Sequence, residues 1–332
     1  MLALPWLAGL LGIPSGVGAV QLDGADPVAF VNTTTSSGTP LRWANSCVFV
    51  RPSSDGVTDL TPEQLAGALA IAKDAWPNAT RDCGYLQIIL EEPDHGEVGL
   101  DYVNRIVFRE QSWCRPGPPE KCYDARAAAI TTLFFIDTPG HPDDGIILDA
   151  DIELNAVNYA FATCVGAGTC TNAGSGVVED LANTLVHELG HLVGLDHTCW
   201  SGFGTQPVDD KGQPVPACAP ASSLPPDILN ATMYPFQDPM ELKKQTPEVD
   251  DIAGFCAKYP KASDPGACVR VPEPPGDHDA DAGGGQPFDS GPCGCRANDS
   301  GSMLLGLLVV LSVTGGRRYS VRRRGARARS PG

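Results

Sequence analysis

The sequence predicts one folded domain of the α/β or α+β class with a mixed sheet, spanning about residues 41–260. Segments rich in β-branched and aromatic residues alternate there with helix-like segments. Their order, a strand, a helix, several strands and another helix, is typical of helices packed on a sheet. Hydrophobic residues make up 42% of the 332-residue chain and charged residues only 19%. This composition supports a core and excludes a chain that is disordered throughout.

The first helix has the clearest local signals. Thr61 can cap its N-terminus, Pro62 suits the first helical position, and Gln64 follows three residues after the cap. The next turns present an apolar face formed by Leu65, Leu69, Ala72 and Trp76. These signals predict a helix over residues 62–76. Alternation and composition predict strands over residues 43–50, 85–90, 103–108, 130–136 and 146–154.

The charge balance limits the partners. The chain has 23 Lys and Arg against 40 Asp and Glu, a net charge of −17. Seven of the positive charges lie in the arginine cluster at residues 317–329, and removing them leaves −24. The rest of the chain is therefore strongly acidic and repels the phosphate backbone of nucleic acids, so we expect no nucleic-acid partner.

The N-terminus has the pattern of an export signal. An apolar stretch at residues 2–13 is followed by small residues and by Val17-Gly18-Ala19, which fits cleavage after Ala19. We expect a signal peptide at residues 1–19 and a mature N-terminal segment at residues 20–40. A buried N-terminal helix is the alternative.

The C-terminal end changes composition abruptly. Residues 261–292 are rich in Pro, Gly and Asp and predict a flexible linker. Residues 293–332 then contain Cys293-Gly294-Cys295, a short apolar run and the arginine cluster. This order resembles the C-terminal sorting signal of myxobacterial surface proteins, which implies cleavage near either cysteine and attachment to the membrane at the cell surface. An uncleaved weak membrane anchor is the alternative.

The twelve cysteines predict disulfides and an exported protein, because a reducing cytosol seldom maintains so many outside metal sites. Three pairs are close in sequence and predict short loops: Cys114 with Cys122, Cys164 with Cys170, and Cys199 with Cys218. Cys293 and Cys295 lie outside the predicted domain, and the sequence leaves three connectivities open for the other four, which are Cys47, Cys83, Cys256 and Cys268.

The candidate chemistry lies between His187 and His197. The apolar residues Val178, Leu181 and Leu185 precede this segment at helical spacing and predict a helix. His187 and His191 stand one turn apart on one side of it and can hold one metal ion, with Glu188 beside the metal as general base. Gly194 lets the chain turn so that His197 becomes a third nitrogen ligand.

Three nitrogen ligands beside a carboxylate favour a catalytic Zn²⁺ with an open position for water. Glu188 would take a proton from the zinc-bound water as it attacks a peptide carbonyl. Six further acidic residues could bind Ca²⁺ through their carboxylates. The favoured interpretation is instead that they form a solvated acidic surface. They are Asp137, Asp143, Asp144, Asp149, Asp151 and Glu153.

The segment from His187 to His197 matches the extended zinc signature of the metzincin metalloproteases. Two later stretches resemble the matrixin branch, the group that contains the matrix metalloproteinases. Thr232-Met233-Tyr234-Pro235 resembles its Met-turn, and residues 249–255 resemble the start of its C-terminal helix, with Thr246 and Pro247 as cap and first position.

The resemblance implies an α+β fold with a mixed, mostly parallel five-stranded sheet, a backing helix, an active-site helix, a Met-turn and a C-terminal helix. It implies that Met233 lies beneath the zinc site and that an extended peptide substrate binds along an edge strand, for which residues 146–154 are the candidate. The insert between His197 and Met233 is much longer than the matching connection in matrixins. The preference of matrixins for particular substrate side chains therefore cannot be assigned to this chain.

We therefore expect a monomeric, exported and surface-anchored zinc endopeptidase acting on proteins or peptides. A surface binding or adhesion module that keeps the zinc fold without turnover is the alternative. A hydrolase of non-peptide amides is a third interpretation.

Overall fold

The computed structural model describes residues 29–271, except for 118–119, 167–168, 172–175 and 203, together with the backbone of residues 296–297. The predicted signal peptide, most of the predicted linker and nearly all of the predicted sorting signal lie outside the described residues. The helices are α1 (Pro62–Ala79), α2 (Leu181–Leu192), α3 (Pro226–Asn230) and α4 (Val249–Lys258). The strands are β1 (Cys47–Pro52), β2 (Gln87–Leu90), β3 (Asn104–Arg109), β4 (Cys114–Arg115), β5 (Lys121–Cys122), β6 (Ala129–Phe135), β7 (Ile147–Asn155), β8 (Tyr159–Cys164), β9 (Cys170–Thr171), β10 (Val177–Asp180), β11 (Phe236–Gln237) and β12 (Arg296–Ala297).

The main sheet has five strands in the order β2-β1-β3-β7-β6. The first four are parallel to one another, and β6 is antiparallel to β7. Helices α1 and α2 pack together on one face, where their apolar side chains share one core with the sheet. The protein is therefore of the α+β class, with the mixed, mostly parallel five-stranded sheet that was predicted.

The edge of the sheet differs from the prediction. Residues 146–154, the candidate edge strand, correspond to β7, which lies between β3 and β6. The loop of residues 136–146 reverses the chain after β6, so that β7 pairs antiparallel with β6 and parallel with β3. The edge strand on this side is therefore β6. The prediction of the edge was wrong because alternation in a sequence predicts strands but not their order in the sheet.

Helix α1 begins as predicted. Thr61 and Gln64 form a capping box, with Thr61 Oγ1 accepting from Gln64 N (3.3 Å) and Gln64 Oε1 accepting from Thr61 N (2.9 Å). The helix continues through Ala79, three residues beyond the predicted end.

Two other helix starts differ from the predictions. Val178 lies in β10 and not on the helix, because Asp180 caps α2 by accepting a hydrogen bond from Asn183 N (2.7 Å). Helix α4 begins at Val249, with Glu248 as its cap, so Thr246 and Pro247 precede the helix. The carboxylate of Asp251 reaches back to Glu248 N (3.1 Å) and closes a capping box that fixes this start.

Five disulfides link the described cysteines, and the three predicted short-range pairs are confirmed. The other pairs are Cys47 with Cys268 and Cys83 with Cys256. Several disulfides in one domain are typical of proteins exported to an oxidising compartment. Within the described residues, every helix is too short or too polar to traverse a bilayer.

The segments on either side of the predicted domain pack on it. Thr33 N donates to Gly194 O (3.0 Å). After α4, Cys268 is bonded to Cys47, and Ser46 N donates to Ala267 O (3.0 Å). The folded part of the described chain therefore reaches from about residue 29 to residue 271 and includes the first residues of the predicted linker.

Candidate metal centre

Helix α2 positions the first three candidate residues. All of its residues are buried, including His187, Glu188 and His191. The two histidines are one helical turn apart, and their ring centroids are 4.9 Å apart. The helix therefore presents two imidazoles and a carboxylate inside the protein.

A sharp turn at the end of α2 positions the third histidine, His197. Gly194 has a φ of +88°, a conformation that favours glycine. A side chain there would also meet the carbonyl oxygen of Leu41 and the Nζ atom of Lys258. After this turn the chain reverses and places His197 against the two helical histidines.

Side chains from distant segments cap the end of α2, where backbone carbonyls have no helical partner. Trp43 Nε1 donates to Leu192 O (2.8 Å), and Tyr259 Oη donates to Val193 O (2.9 Å). Lys258 Nζ donates to Gly194 O (2.6 Å). The turn that carries His197 is thus held by α4 and by the segment before β1.

The three imidazoles converge through their Nε2 atoms. His197 Nε2 lies 3.2 Å from His187 Nε2 and 3.1 Å from His191 Nε2. His187 Nδ1 lies 2.6 Å from Thr232 O, and His191 Nδ1 lies 2.9 Å from Leu195 O. Because a carbonyl only accepts, both Nδ1 atoms carry the proton and both Nε2 atoms keep a lone pair.

This arrangement fits a tetrahedral metal ion. Zinc with Zn–N bonds of about 2.0–2.1 Å separates its nitrogen ligands by roughly 3.3 Å, close to the Nε2 separations of His197. The carbonyl partners of His187 and His191 are of the kind that orient metal-binding histidines. Burial lowers the pKa of His191 to about 4 and that of His187 well below its usual value, so both rings are neutral, as metal ligands require.

Glu188 is buried beside these histidines, and its two carboxylate oxygens differ. Oε2 accepts a hydrogen bond from Thr131 Oγ1 (2.7 Å), whereas Oε1 has no hydrogen-bond partner among the described residues. Burial raises the pKa of Glu188 to about 8, although the hydrogen bond from Thr131 opposes the shift. The site therefore contains a carboxyl group with one anchored oxygen and one oxygen without a partner among the described residues, and a cation bound beside it would favour its ionised form.

Met233 lies against the middle of α2. A side chain at Gly190, between the two helical histidines, would meet the sulfur of Met233. Asp251 of α4 holds this segment by accepting from Thr232 N (2.7 Å) and Met233 N (3.3 Å). Met233 O accepts from Thr198 N (3.1 Å), directly after the third histidine. Met233 therefore packs on the turn of α2 that separates His187 from His191, and its backbone is bonded to the residue after His197.

The six acidic residues do not form a solvated face, as had been expected for them. Four are buried, namely Asp144, Asp149, Asp151 and Glu153. Asp149 and Asp151 accept hydrogen bonds from the backbone of residues 99–105, and Glu153 accepts from Arg109 (2.8 Å) and Arg115 (3.0 Å). Glu153 is thus paired with two arginines, whereas burial raises the pKa of both Asp149 and Asp151, and repulsion from Asp149 adds to the shift of Asp151. Calcium binding by any of these carboxylates stays an untested prediction.

The sequence did not identify Thr131 or Lys258 as parts of this site. A weak signal existed for Thr131, a polar residue in the apolar row of Ala129 and Leu133. For Lys258 the sequence offered none, because its partners lie 64 and 217 residues away.

No protein-family model matches this chain, and a search of curated proteins found none with significant sequence similarity.

Proposed function

We propose that the protein is an exported zinc-dependent endopeptidase. The observation that carries the proposal is the convergence of three buried imidazole Nε2 atoms beside a buried carboxylate. Three nitrogen donors leave a fourth coordination position open, as in catalytic zinc sites, whereas structural sites usually have four protein ligands.

The residues have distinct roles in this proposal. His187, His191 and His197 would hold the ion, which would supply Lewis-acid polarisation of a carbonyl and lower the pKa of water. Glu188 Oε1, which has no hydrogen-bond partner in the described part of the chain, accepts the proton of the attacking water. The same carboxyl then donates that proton to the departing amine.

The free edge of the main sheet is the proposed substrate site. Strand β6 pairs with β7 on one side and with no other strand among the described residues. Thr131 of this strand contacts Glu188, so the edge lies beside the proposed base. An extended peptide can add to such an edge through backbone hydrogen bonds, which favours peptide bonds over small amides as substrates.

A metzincin fold of the matrixin type is part of the proposal. It is supported by the order of the sheet, by the turn at Gly194 before the third histidine, and by Met233 beneath α2. The hydrogen bonds from Thr232 and Met233 to Asp251 add support, because they tie the proposed Met-turn to α4.

Peptide cleavage with metal analysis tests the function. The mature chain, produced with its disulfides, is assayed for zinc content and incubated with a peptide library that is read by mass spectrometry. We expect one zinc per chain, cleavage within peptides, loss of cleavage with a chelator and recovery with zinc. A zinc-loaded protein that cleaves no peptide but binds one would favour the adhesion module, and cleavage of small amides alone would favour the other hydrolase.

Anchoring at the cell surface is proposed separately, from the sequence of residues 293–332. Intact-mass analysis of the protein from its native host should show a C-terminus near Cys293 or Cys295. A chain that still reaches Arg329, without modification at either cysteine, would contradict this.

A further inference from the structure

The edge strand β6 has one polar side chain in the row that faces α2. Residues two apart along a strand share a face. The row contains Ala129 (0% exposed), Thr131 (6%) and Leu133 (2%). Its neighbour Thr132 faces the opposite side, where its hydroxyl accepts from Arg115 (2.8 Å). A hydroxyl buried in an apolar row needs a hydrogen-bond partner.

The partner of Thr131 is Glu188. Thr131 Oγ1 lies 2.7 Å from Glu188 Oε2 and 3.2 Å from the backbone oxygen of Glu188. A hydroxyl has one hydrogen to donate, and a hydrogen bond to a carboxylate is stronger than one to a neutral carbonyl. The shorter contact to Oε2 is therefore the one that matters when the carboxyl is ionised.

We propose that Thr131 is a positioning residue for the base, an inference that rests on the proposed peptidase function. Its hydroxyl fixes Oε2 and thereby leaves Oε1 to take the proton. A glutamate has three rotatable side-chain bonds, and small displacements of a reacting group lower a rate strongly. Thr131 thus selects the carboxylate orientation that is ready for proton transfer, while the backbone of the same strand lies at the free edge.

Thr131→Val tests this, because valine keeps the branched shape and removes the hydroxyl. We expect zinc content and KM to stay near the wild-type values and kcat to fall roughly 10- to 100-fold, as for the loss of a hydrogen bond to a charged group. Thr131→Ser should restore most of kcat. The matched control is Thr132→Val, which removes a hydroxyl on the other face of β6 and should leave kcat within about twofold of wild type.

Two results would overturn the proposal. A zinc-loaded Thr131→Val protein with wild-type kcat would show that the hydroxyl does not position the base. A variant that loses zinc, or that Thr131→Ser fails to rescue, would show that the threonine only supports packing or the helix carbonyl.

Crystal structures of zinc-loaded wild type and Thr131→Val separate this proposal from the proposed function. If the wild-type protein cleaves no peptide, the peptidase proposal fails, and the structures still decide the role of Thr131. A carboxylate held at Thr131 in wild type and displaced in the variant supports positioning. The same carboxylate orientation in both contradicts it.

Discussion

Lys258 Nζ lies 2.6 Å from the carbonyl oxygen of Gly194 and 2.7 Å from that of Leu41. One partly buried ammonium thus joins α4 to the end of α2 and to the segment before β1. Burial lowers the pKa of Lys258 to about 7, and the nearby charge of Asp196 opposes this shift. Asp196 in turn accepts a hydrogen bond from His197 N (2.7 Å). Lys258 therefore supports the turn that delivers the third histidine.

Replacing Lys258 with methionine should destabilise the protein and weaken zinc binding. Leu41 O would lose its hydrogen bond, which costs about 1–3 kcal/mol for a buried carbonyl, whereas Gly194 O keeps the bond from Thr33 N. Urea unfolding and competitive zinc titration measure the two effects. The matched control is Lys261→Met, at an exposed position nearby, which should change neither. Unchanged unfolding and zinc affinity in Lys258→Met would remove Lys258 from the support of the site.

His197→Ala should lower zinc affinity and peptide hydrolysis together. His197 Nε2 lies within 3.2 Å of the Nε2 atoms of both other histidines. Removing this imidazole leaves only the two histidine ligands on α2. Metal analysis after dialysis against a weak chelator, combined with kinetics, provides the measurement. His141→Ala removes an exposed histidine and serves as the control. Full zinc occupancy with unchanged kinetics in His197→Ala would exclude a three-histidine site.

Glu179 should make the folded state less stable as the pH rises. This residue of β10 is fully buried, and Gln237 Nε2 donates to its Oε2 (2.5 Å). Burial raises its pKa from the usual 4.5 to about 8. Between these values the unfolded chain has lost the proton that the folded state keeps. The free energy of unfolding therefore falls with rising pH in this window, by at most ~1.4 kcal/mol per pH unit from this group.

Glu179→Gln should remove this pH dependence. The difference in free energy of unfolding between the variant and wild type should therefore shift in favour of the variant between pH 4.5 and pH 8. Denaturant unfolding of both proteins across this range provides the comparison. Glu92→Gln, at an exposed position, is the control and should follow the wild type. Parallel stability curves for wild type and Glu179→Gln would show that Glu179 ionises with an ordinary pKa.

The parts of the site that local spacing determines could be predicted from the sequence. Two histidines four residues apart share a helix face, and a glycine ends that helix, so the meeting of His187, His191 and His197 follows from local geometry. The start of α1 was predictable for the same reason, because its cap lies within four residues.

The long-range features could not be predicted in this way. The position of β7 inside the sheet depends on pairing with strands that are distant in sequence. The same is true of the Cys47–Cys268 and Cys83–Cys256 disulfides, and of the bonds from Thr131 to Glu188 and from Lys258 to Gly194. No periodicity within one segment encodes these contacts, since each depends on the packing of separate elements.

The turnover number of zinc-loaded Glu188→Gln tests the proposed peptidase most directly. Glutamine is nearly isosteric, so the histidines, the zinc content and the fold should be preserved while the proton acceptor is lost. We expect one zinc per chain and a kcat for peptide cleavage at least roughly 10²- to 10⁴-fold below that of wild type, the contribution of general acid–base catalysis. A zinc-loaded variant that cleaves peptides at a rate near that of wild type would contradict the role of Glu188 and the mechanism built on it.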